Sequence, residues 1–565
     1  MCFALELVKP YIFNQTLGAV PNILKMVSMK PLVTYFLPTF VLALFTPYGC
    51  SSVSALPLFT DSRWIVNGDG QRVKLACVNW AAHLEPVVAE GLSKQPVDSI
   101  SARIASLGFN CVRLTWPLFL ITNDSLGSTT VRQSFQHLGL DDAIGGIQEY
   151  NPSFLSMTLL DAFQAVVSSL ARKDLMVILD NHISKPGWCC SDNDGNGFFG
   201  DQYFQPRVWI EGLGRIATMF HGVPNVVGVS LRNELRGRRQ NVQDWFRYMQ
   251  EAAEAVHSAN PNLLVIISGL HYDSSFSFLI DRSINLTFGR KLVFELHWYS
   301  FTSGRRAWRK ENANKVCGNV IDEIMNRAGF LLEQGYPLFM SEFGGDQSGN
   351  KINDNRYLNC FLGLAAELDV DWALWTVVGS YYLRGGKNEF DEPYGVLNAN
   401  FSGVRNPDFV QRLSALQAPF QDSSEDTARK VIFHPQTGLC IRRKSNLGPL
   451  QLGPCAETET WKYTPQKTLM ITGTYFCLQA DQPGEPAKLG TICTNSNSRW
   501  DTISDSDMHL SSKVENETVC LDIDSSKTII TNTCKCLSGD SSCDPASQWF
   551  RFITSSGSGT KRPAL

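Results

Sequence analysis

A chain of 565 residues is too long for one hydrophobic core and predicts two or three domains. Hydrophobic content of 44% with 18% charged residues is that of ordinary globular protein rather than a disordered or fibrous chain. A formal net charge of −4 gives no general attraction to nucleic acid or to an anionic membrane, which sets those partners aside.

At the N-terminus, Lys25 and Lys30 precede an apolar run over 31–45 that Pro38 interrupts, and Ser52-Val53-Ser54-Ala55 supplies small residues. Basic flank, short apolar run and small-residue site read as a secretory signal cleaved near Ala55. Some 28 residues come before it. Met26 or Met29 is therefore a candidate start, and an uncleaved anchor is the alternative, although the run is short for a ~20-residue span. Once the signal is removed no membrane contact is expected, and the expected location is extracellular, in the cell wall. Of sixteen cysteines, eight fall between Cys440 and Cys543, a density that suggests a disulfide-stapled module in an oxidising compartment. Sequons at Asn123, Asn285, Asn400 and Asn516 fit that compartment.

After this 1–55 extension, residues 56–420 alternate short apolar strands with amphipathic stretches. The predicted strands are Val73–Trp80, Phe109–Trp116, Leu175–Asn181, Val226–Glu234, Leu263–Gly269, Leu292–Tyr299, Pro337–Phe343 and Trp372–Val378. Helical patterns cover Leu159–Arg172, Val208–Phe220, Val242–Ser258, Val320–Glu333 and Arg356–Leu368; in the third, Trp245, Met249, Ala252, Ala253 and Val256 share one face. Eight strands with intervening helices predict an α/β fold of the (β/α)₈ TIM-barrel type, with its active site at the carboxyl ends of the strands. A doubly wound sheet would need a glycine-rich phosphate turn after an early strand, and none is visible.

Two of the predicted strands share one pattern. Pro337–Phe343 and Val226–Glu234 are apolar runs of the kind buried on both faces, and each ends in a glutamate. In the first, Glu342 is followed by Gly344-Gly345, a pair that lets the backbone turn away from it. Two carboxylates on buried strand tips are what cleavage of a glycosidic bond needs. Other strand ends carry Asn79-Trp80, Arg113, Asn181-His182, Asn233, His297-Trp298-Tyr299 and Trp375, polar and aromatic groups that are costly to bury idly.

Taken in order on Arg113, His182, Asn233, Glu234, His297, Tyr299, Glu342 and Trp375, this pattern resembles glycoside hydrolase family 5, the cellulase-like family, over roughly residues 61–420. The resemblance implies that Glu342 is the nucleophile and Glu234 the general acid, then the base for water, with no cofactor and no metal. It implies that Asn233 holds the sugar 2-hydroxyl, that His182 and His297 bond the sugar or the catalytic groups, and that Trp375 floors the ring. Retention of configuration expects carboxyl groups ~5–5.5 Å apart, against ~6.5–9.5 Å for inversion. Opposite tuning of the pair is expected, with Arg113 and Tyr299 holding Glu342 ionised and that charge keeping Glu234 protonated. Trp80, together with Trp116, Trp188, Trp298 and Trp308, is placed in strand-end loops as aromatic surface for a β-linked chain. The loop with Cys189-Cys190, Asp192 and Asp194 is read as a rim. It lacks the spacing of an EF-hand. The expected substrate is a β-linked polysaccharide of the β-glucan or β-mannan type. A catalytically silent carbohydrate-binding cell-wall protein and a transglycosylase remain as alternatives.

Residues 421–428 are polar and read as a linker. The region 429–555 has an internal period of about forty residues. Each unit opens on a Cys in a strand-like run (Cys440, Cys477, Cys520), continues to another (Cys455, Cys493, and Cys534 or Cys536) and reaches a Trp (Trp461, Trp500, Trp549). Three such units predict an all-β trefoil, and the whole chain resembles the plant branch of the family that carries a ricin-B-like lectin domain. The lectin's Gln two residues before each Trp is replaced by Glu459, Ser498 and Ser547, and its sugar-binding Asp survives only as Asp522. Residues 556–565 read as a tail.

Overall fold

The computed structural model describes residues 56–304, 306–422, 429–445 and 448–556. The expected signal segment and cleavage site, residues 423–428 of the expected linker and residues 557–565 of the expected tail lie outside the described residues. Eight parallel strands close into a barrel in chain order: β1 (Ala76–Trp80), β2 (Cys111–Pro117), β3 (Met176–Ile183), β4 (Val226–Ser230), β5 (Leu264–Ser268), β6 (Leu292–His297), β7 (Leu338–Phe343) and β8 (Asp371–Leu374). Every predicted strand is present with its ends shifted. The largest shifts are in β4 and β8, which each stop four residues early, at Ser230 and Leu374; Glu234 itself turns into the left-handed region at φ 46°.

The strands read as continuous apolar runs because both faces are covered. Their inward positions, among them Cys77, Ile178, Leu264, Ile266, Val293 and Phe339, form a packed interior cluster. Leu58 and Ile65, from the hairpin Phe59–Asp61 with Trp64–Val66, join that cluster and close its lower end. Outward positions such as Val112, Leu179, Val265 and Phe294 pack against the helices in a second, larger cluster. The face predicted on helix Val242–Ala259 is buried as expected, with Trp245, Met249 and Val256 all on it. The pattern over 320–333 belongs to a helix that begins earlier, at Ala313, where the Asn312 side chain accepts the N–H groups of Asn314 and Lys315. A π turn, Met325–Gly329, then interrupts it before Phe330–Glu333. No described helix is long and apolar enough to cross a membrane.

The C-terminal region is all-β, from Lys430–His434 to Arg551–Thr554, and its three units each carry one disulfide: Cys440–Cys455, Cys477–Cys493 and Cys520–Cys534. Cys536 pairs instead with Cys543. Trp461, Trp500 and Trp549 are buried, one per unit. Val431, Phe433, Met508, Trp549 and Ile553 belong to the same apolar cluster as the barrel's outer layer, so the second domain is packed onto the first.

Candidate active site

Side chains alternate across a strand, so the positions above the interior cluster also face inward, and there they turn polar. Asn79, Arg113, Asp180, Glu295 and Ser341 form this layer, each fully buried. Arg113 is its hub. Its Nη1 lies 2.8 Å from Glu342 Oε1, 3.0 Å from Asp180 Oδ2 and 3.0 Å from Asn79 Oδ1. Its Nη2 donates to Asn233 Oδ1 at 3.0 Å and faces Glu295 Oε2 at 3.4 Å. Burial opposes the guanidinium charge, but Asp180, Glu295 and Glu342 outweigh it and raise its pKa. Arg113→Met is therefore expected to cost about 3–5 kcal/mol, because it strands buried carboxylates without a cation. Denaturant unfolding measures this; a loss below about 1 kcal/mol would show that the carboxylates do not depend on it.

Glu342 is the last residue but one of β7 and is 5% exposed, whereas Glu234 is half-buried. One carboxylate oxygen of each, with a ring nitrogen of His297, lies within 4.8 Å of the others. Tyr299 donates its hydroxyl to Glu342 Oε2 at 2.9 Å. His297 Nδ1 is 3.1 Å from Glu234 Oε1, and its Nε2 is 3.0 Å from Ser341 Oγ. Burial lowers the pKa of that ring, so it is neutral near pH 7. Below the pair, Asp273 Oδ2 accepts the backbone N–H of Glu234 at 2.9 Å. Asp273 follows His271 and Tyr272 in three successive left-handed residues, and strain of that kind collects at functional sites. Burial pushes the Asp273 carboxyl well up, with Glu295 adding to it.

The expected opposite tuning is corrected in one respect. Burial lifts the carboxyls of Glu234 and Glu342 to about 7, and the nearby cations only moderate the rise. What separates them is hydrogen bonding. Glu342 accepts from Arg113 and from Tyr299, both of which favour its charged form, while Glu234 has only His297 at its carboxylate among the described side-chain hydrogen bonds. These two donors favour the charge of the pair on Glu342 over Glu234.

These groups open onto a cleft of about 710 Å³, whose lining includes His182, Asn233, Trp375 and Trp188. His182 stacks on Trp375 with ring centres 5.5 Å apart, and its Nδ1 is 2.6 Å from Asp180 Oδ2. Asn233, held through its oxygen by Arg113, points its amide nitrogen at His182 Nε2 (3.5 Å) and at the disulfide-bonded Cys189 and Cys190. Trp80 is not in the cleft. It occupies an outward position of β1, is fully buried among the helices and donates Nε1–H to the Glu90 carbonyl. Trp116, Trp298 and Trp308 are likewise buried packing, which leaves Trp188 as the member of that group that faces the cleft. The rim acids are occupied by protein partners: Asp192 by the Tyr272 hydroxyl, Asp194 by Arg236.

Residues 66–380 match the family model described as cellulase (glycosyl hydrolase family 5), and residues 429–542 match the ricin-type beta-trefoil lectin domain. A glycosyl hydrolase 5 family protein of Chamaecyparis obtusa is 44% identical over 524 residues, which cover 88% of this chain and 93% of the relative. The chain belongs to glycosyl hydrolase family 5. An endoglucanase of Paenibacillus polymyxa is 21% identical over 369 residues, 61% of this chain and 87% of its own. Among solved structures, a hyperthermophilic endocellulase from the archaeon Pyrococcus horikoshii shares the fold, with a TM-score of 0.52 at 19% identity over 64% of this chain and 99% of that one. This family 5 chain is a glycoside hydrolase of the cellulase type with a trefoil lectin domain behind its barrel.

In this glycosyl hydrolase, Asp180, Asp273, Glu295 and Ser341 were not anticipated, and Asn79 was anticipated only as a polar strand end. The signal for two of them was the two-residue period: Asp180 precedes His182 by two, and Glu295 precedes His297 by two. Gly344 also has a different reason from the one expected. It is needed for close approach, since a Cβ there would lie 2.4 Å from the Trp375 carbonyl oxygen.

Asp522 does not present a free carboxylate to a sugar. It is 1% exposed, and its Oδ2 accepts from Gln548 (3.0 Å), Lys535 (3.0 Å) and Asn532 (3.3 Å). Gln548, one residue before Trp549 rather than two, supplies the glutamine that the lectin pattern seemed to lack. Burial would lift the Asp522 pKa, but these hydrogen bonds outweigh it and hold the carboxyl below its usual range. Asp522→Ala is expected to leave retention on immobilised polysaccharides and galactosides unchanged. It should lower stability by about 1–3 kcal/mol by orphaning buried donors. Affinity electrophoresis and thermal unfolding of the same sample check both, and lost retention would restore the sugar-binding role.

Proposed function

We propose that this chain is a retaining hydrolase of β-linked glucan, with Glu342 as nucleophile and Glu234 as acid and then base. The observation that carries the reading is the approach of the two carboxylates to within 4.8 Å across the cleft. That spacing suits a double displacement, ~5–5.5 Å between carboxyl groups, and leaves no room for the water of an inverting reaction. Glu342, bonded by Arg113 and Tyr299, attacks the anomeric carbon while Glu234 gives its proton to the departing oxygen. Forming the glycosyl ester removes the charge of Glu342, so the Glu234 carboxylate left behind can take a proton from water. Asn233 bonds the 2-hydroxyl, and the Trp375–His182 stack supports the ring. Glucan is favoured over mannan because the Paenibacillus relative is named an endoglucanase and the archaeal structure an endocellulase, which has also been solved in a variant complex with cellotetraose. Seven disulfides, which take up all fourteen cysteines among the described residues, support action in an oxidising compartment such as the cell wall.

The test is reducing-end release from a panel of β-glucans and β-mannans by the wild type and Glu342→Gln together, with NMR of the first product anomer. Glucan cleavage giving the β-anomer, lost in the variant, is the expected result. The α-anomer first would overturn the double displacement, and preferential release from mannan would overturn the substrate.

A further inference from the structure

The helix Ile352–Leu368 lies between the cleft and the trefoil, and its first turns grip both. Arg356, 5% exposed, donates Nη1 to the carbonyls of Trp308 (2.8 Å) and Ser541 (2.9 Å), and Nη2 to those of Ser542 (3.2 Å) and Cys543 (2.8 Å). The last three belong to the loop closed by Cys536–Cys543, a bond the other two trefoil units lack. On the loop's other limb, the Cys536 carbonyl accepts from Asn312 (2.9 Å) and Asn314 (3.0 Å) of the barrel. The same helix holds the segment that follows β6. Asp354 accepts the Ser300 hydroxyl at 2.6 Å and the Asp346 N–H at 3.0 Å, and the Tyr357 hydroxyl donates to the Trp298 carbonyl. Between those anchors stands Tyr299, whose hydroxyl bonds Glu342, with Phe301 stacked on it at 5.0 Å.

We propose that the Cys536–Cys543 loop of the trefoil is a strut for the catalytic cleft, and that Arg356 is the positioning residue through which it steadies the Tyr299 hydroxyl on Glu342. One guanidinium satisfying four carbonyls from two domains is a rigid joint, since its planar fork is already arranged for its partners. The trefoil then serves the reaction by placement, whatever sugar it also binds. This rests on the proposed role of Glu342.

Two full-length variants test it: Arg356→Lys, which keeps a cation but cannot reach four carbonyls, and the Cys536→Ser/Cys543→Ser pair. Arg551→Gln is the control, because it cuts the ion pair with Glu367 elsewhere on the same interface. The two strut variants should fold, lose about 3–10-fold in kcat, and show the acidic limb of the pH profile moved to higher pH. The sign follows from Tyr299: a donor to the charged form favours it, so loosening that donor raises the pKa of Glu342. Glu342 also faces Arg113, His297, Glu234 and Asp180, none of which these substitutions touch. Wild-type kinetics in both variants would overturn the proposal. So would lost activity with an unmoved limb, or the same limb shift in Arg551→Gln. Failure of the Glu342 role itself would show separately, as turnover by Glu342→Gln.

Discussion

Glu342→Gln is expected to fold like the wild type and to lose turnover by on the order of 10⁴-fold or more, the scale of loss when a covalent nucleophile is removed. The amide keeps the volume of the carboxyl, its oxygen can still accept from Arg113, and its NH2 can donate to the Tyr299 hydroxyl oxygen. Arg113 retains Asp180 and Glu295 as counter-charges, so no buried cation is orphaned. Taking one acid out of a crowded buried set relieves repulsion, so melting temperature should stay level or rise. Removal of the side chain in Glu342→Gly gives a sharper assay. Azide added to that variant should attack from the vacated face and yield the α-glycosyl azide, with configuration inverted. Azide acting on Glu234→Gly should instead release the β-glycosyl azide from an enzyme-bound ester. Exchange of those two products between the variants would reverse the assignment of the two glutamates.

The second expectation concerns Glu234→Gln, which should be selective in what it destroys. General acid help contributes about 10²–10⁴-fold, and it matters most when the departing oxygen is basic. Polysaccharide cleavage should fall by that amount, whereas an aryl glycoside with an acidic phenol should still form the ester quickly and then stall. Stopped-flow absorbance would record a burst of one phenol per enzyme before a slow steady state. The pH profile supplies an independent reading. On the proposed roles, activity needs Glu342 charged and Glu234 protonated. The rate therefore rises with pH as the pair loses its first proton and falls as it loses its second. Burial brings both groups to about 7, so the wild-type bell should be narrow and lie near neutrality. In Glu234→Gln the alkaline limb should disappear while the acidic limb remains. An alkaline limb unchanged in that variant would assign the second proton elsewhere.

The barrel was legible because burial on both faces writes eight near-continuous apolar runs, and the trefoil because cysteine and tryptophan recur together. The strand-end groups were legible as a list of chemistries. Which way each one faced was a different matter. Trp80 was read as sugar-facing from its place at a strand end, yet its neighbour Asn79 holds the inward position and bonds Arg113. Counting alternate residues back from His182 and His297 would have exposed Asp180 and Glu295, but both lie inside runs that look like strand core. The partnership of Asp273 with Glu234 could not be counted at all, since it depends on three successive left-handed residues. The docking of the second domain was equally invisible, because its contacts join residues that no local pattern relates, as Glu367 and Arg551 do across 184 positions.

The layer of acids under the cleft has a consequence for what the site attracts. The glucan proposed as substrate carries no charge, so the excess of Asp180, Glu295 and Glu342 over the guanidinium of Arg113 does little to draw it in. The sugar becomes cationic only midway through bond cleavage, when the ring oxygen and anomeric carbon share an oxocarbenium charge. A negative cup is indifferent to the resting substrate and hospitable to that fleeting cation. A ring-shaped amine, positive from the outset, should accordingly rest there more tightly than the neutral sugar it imitates.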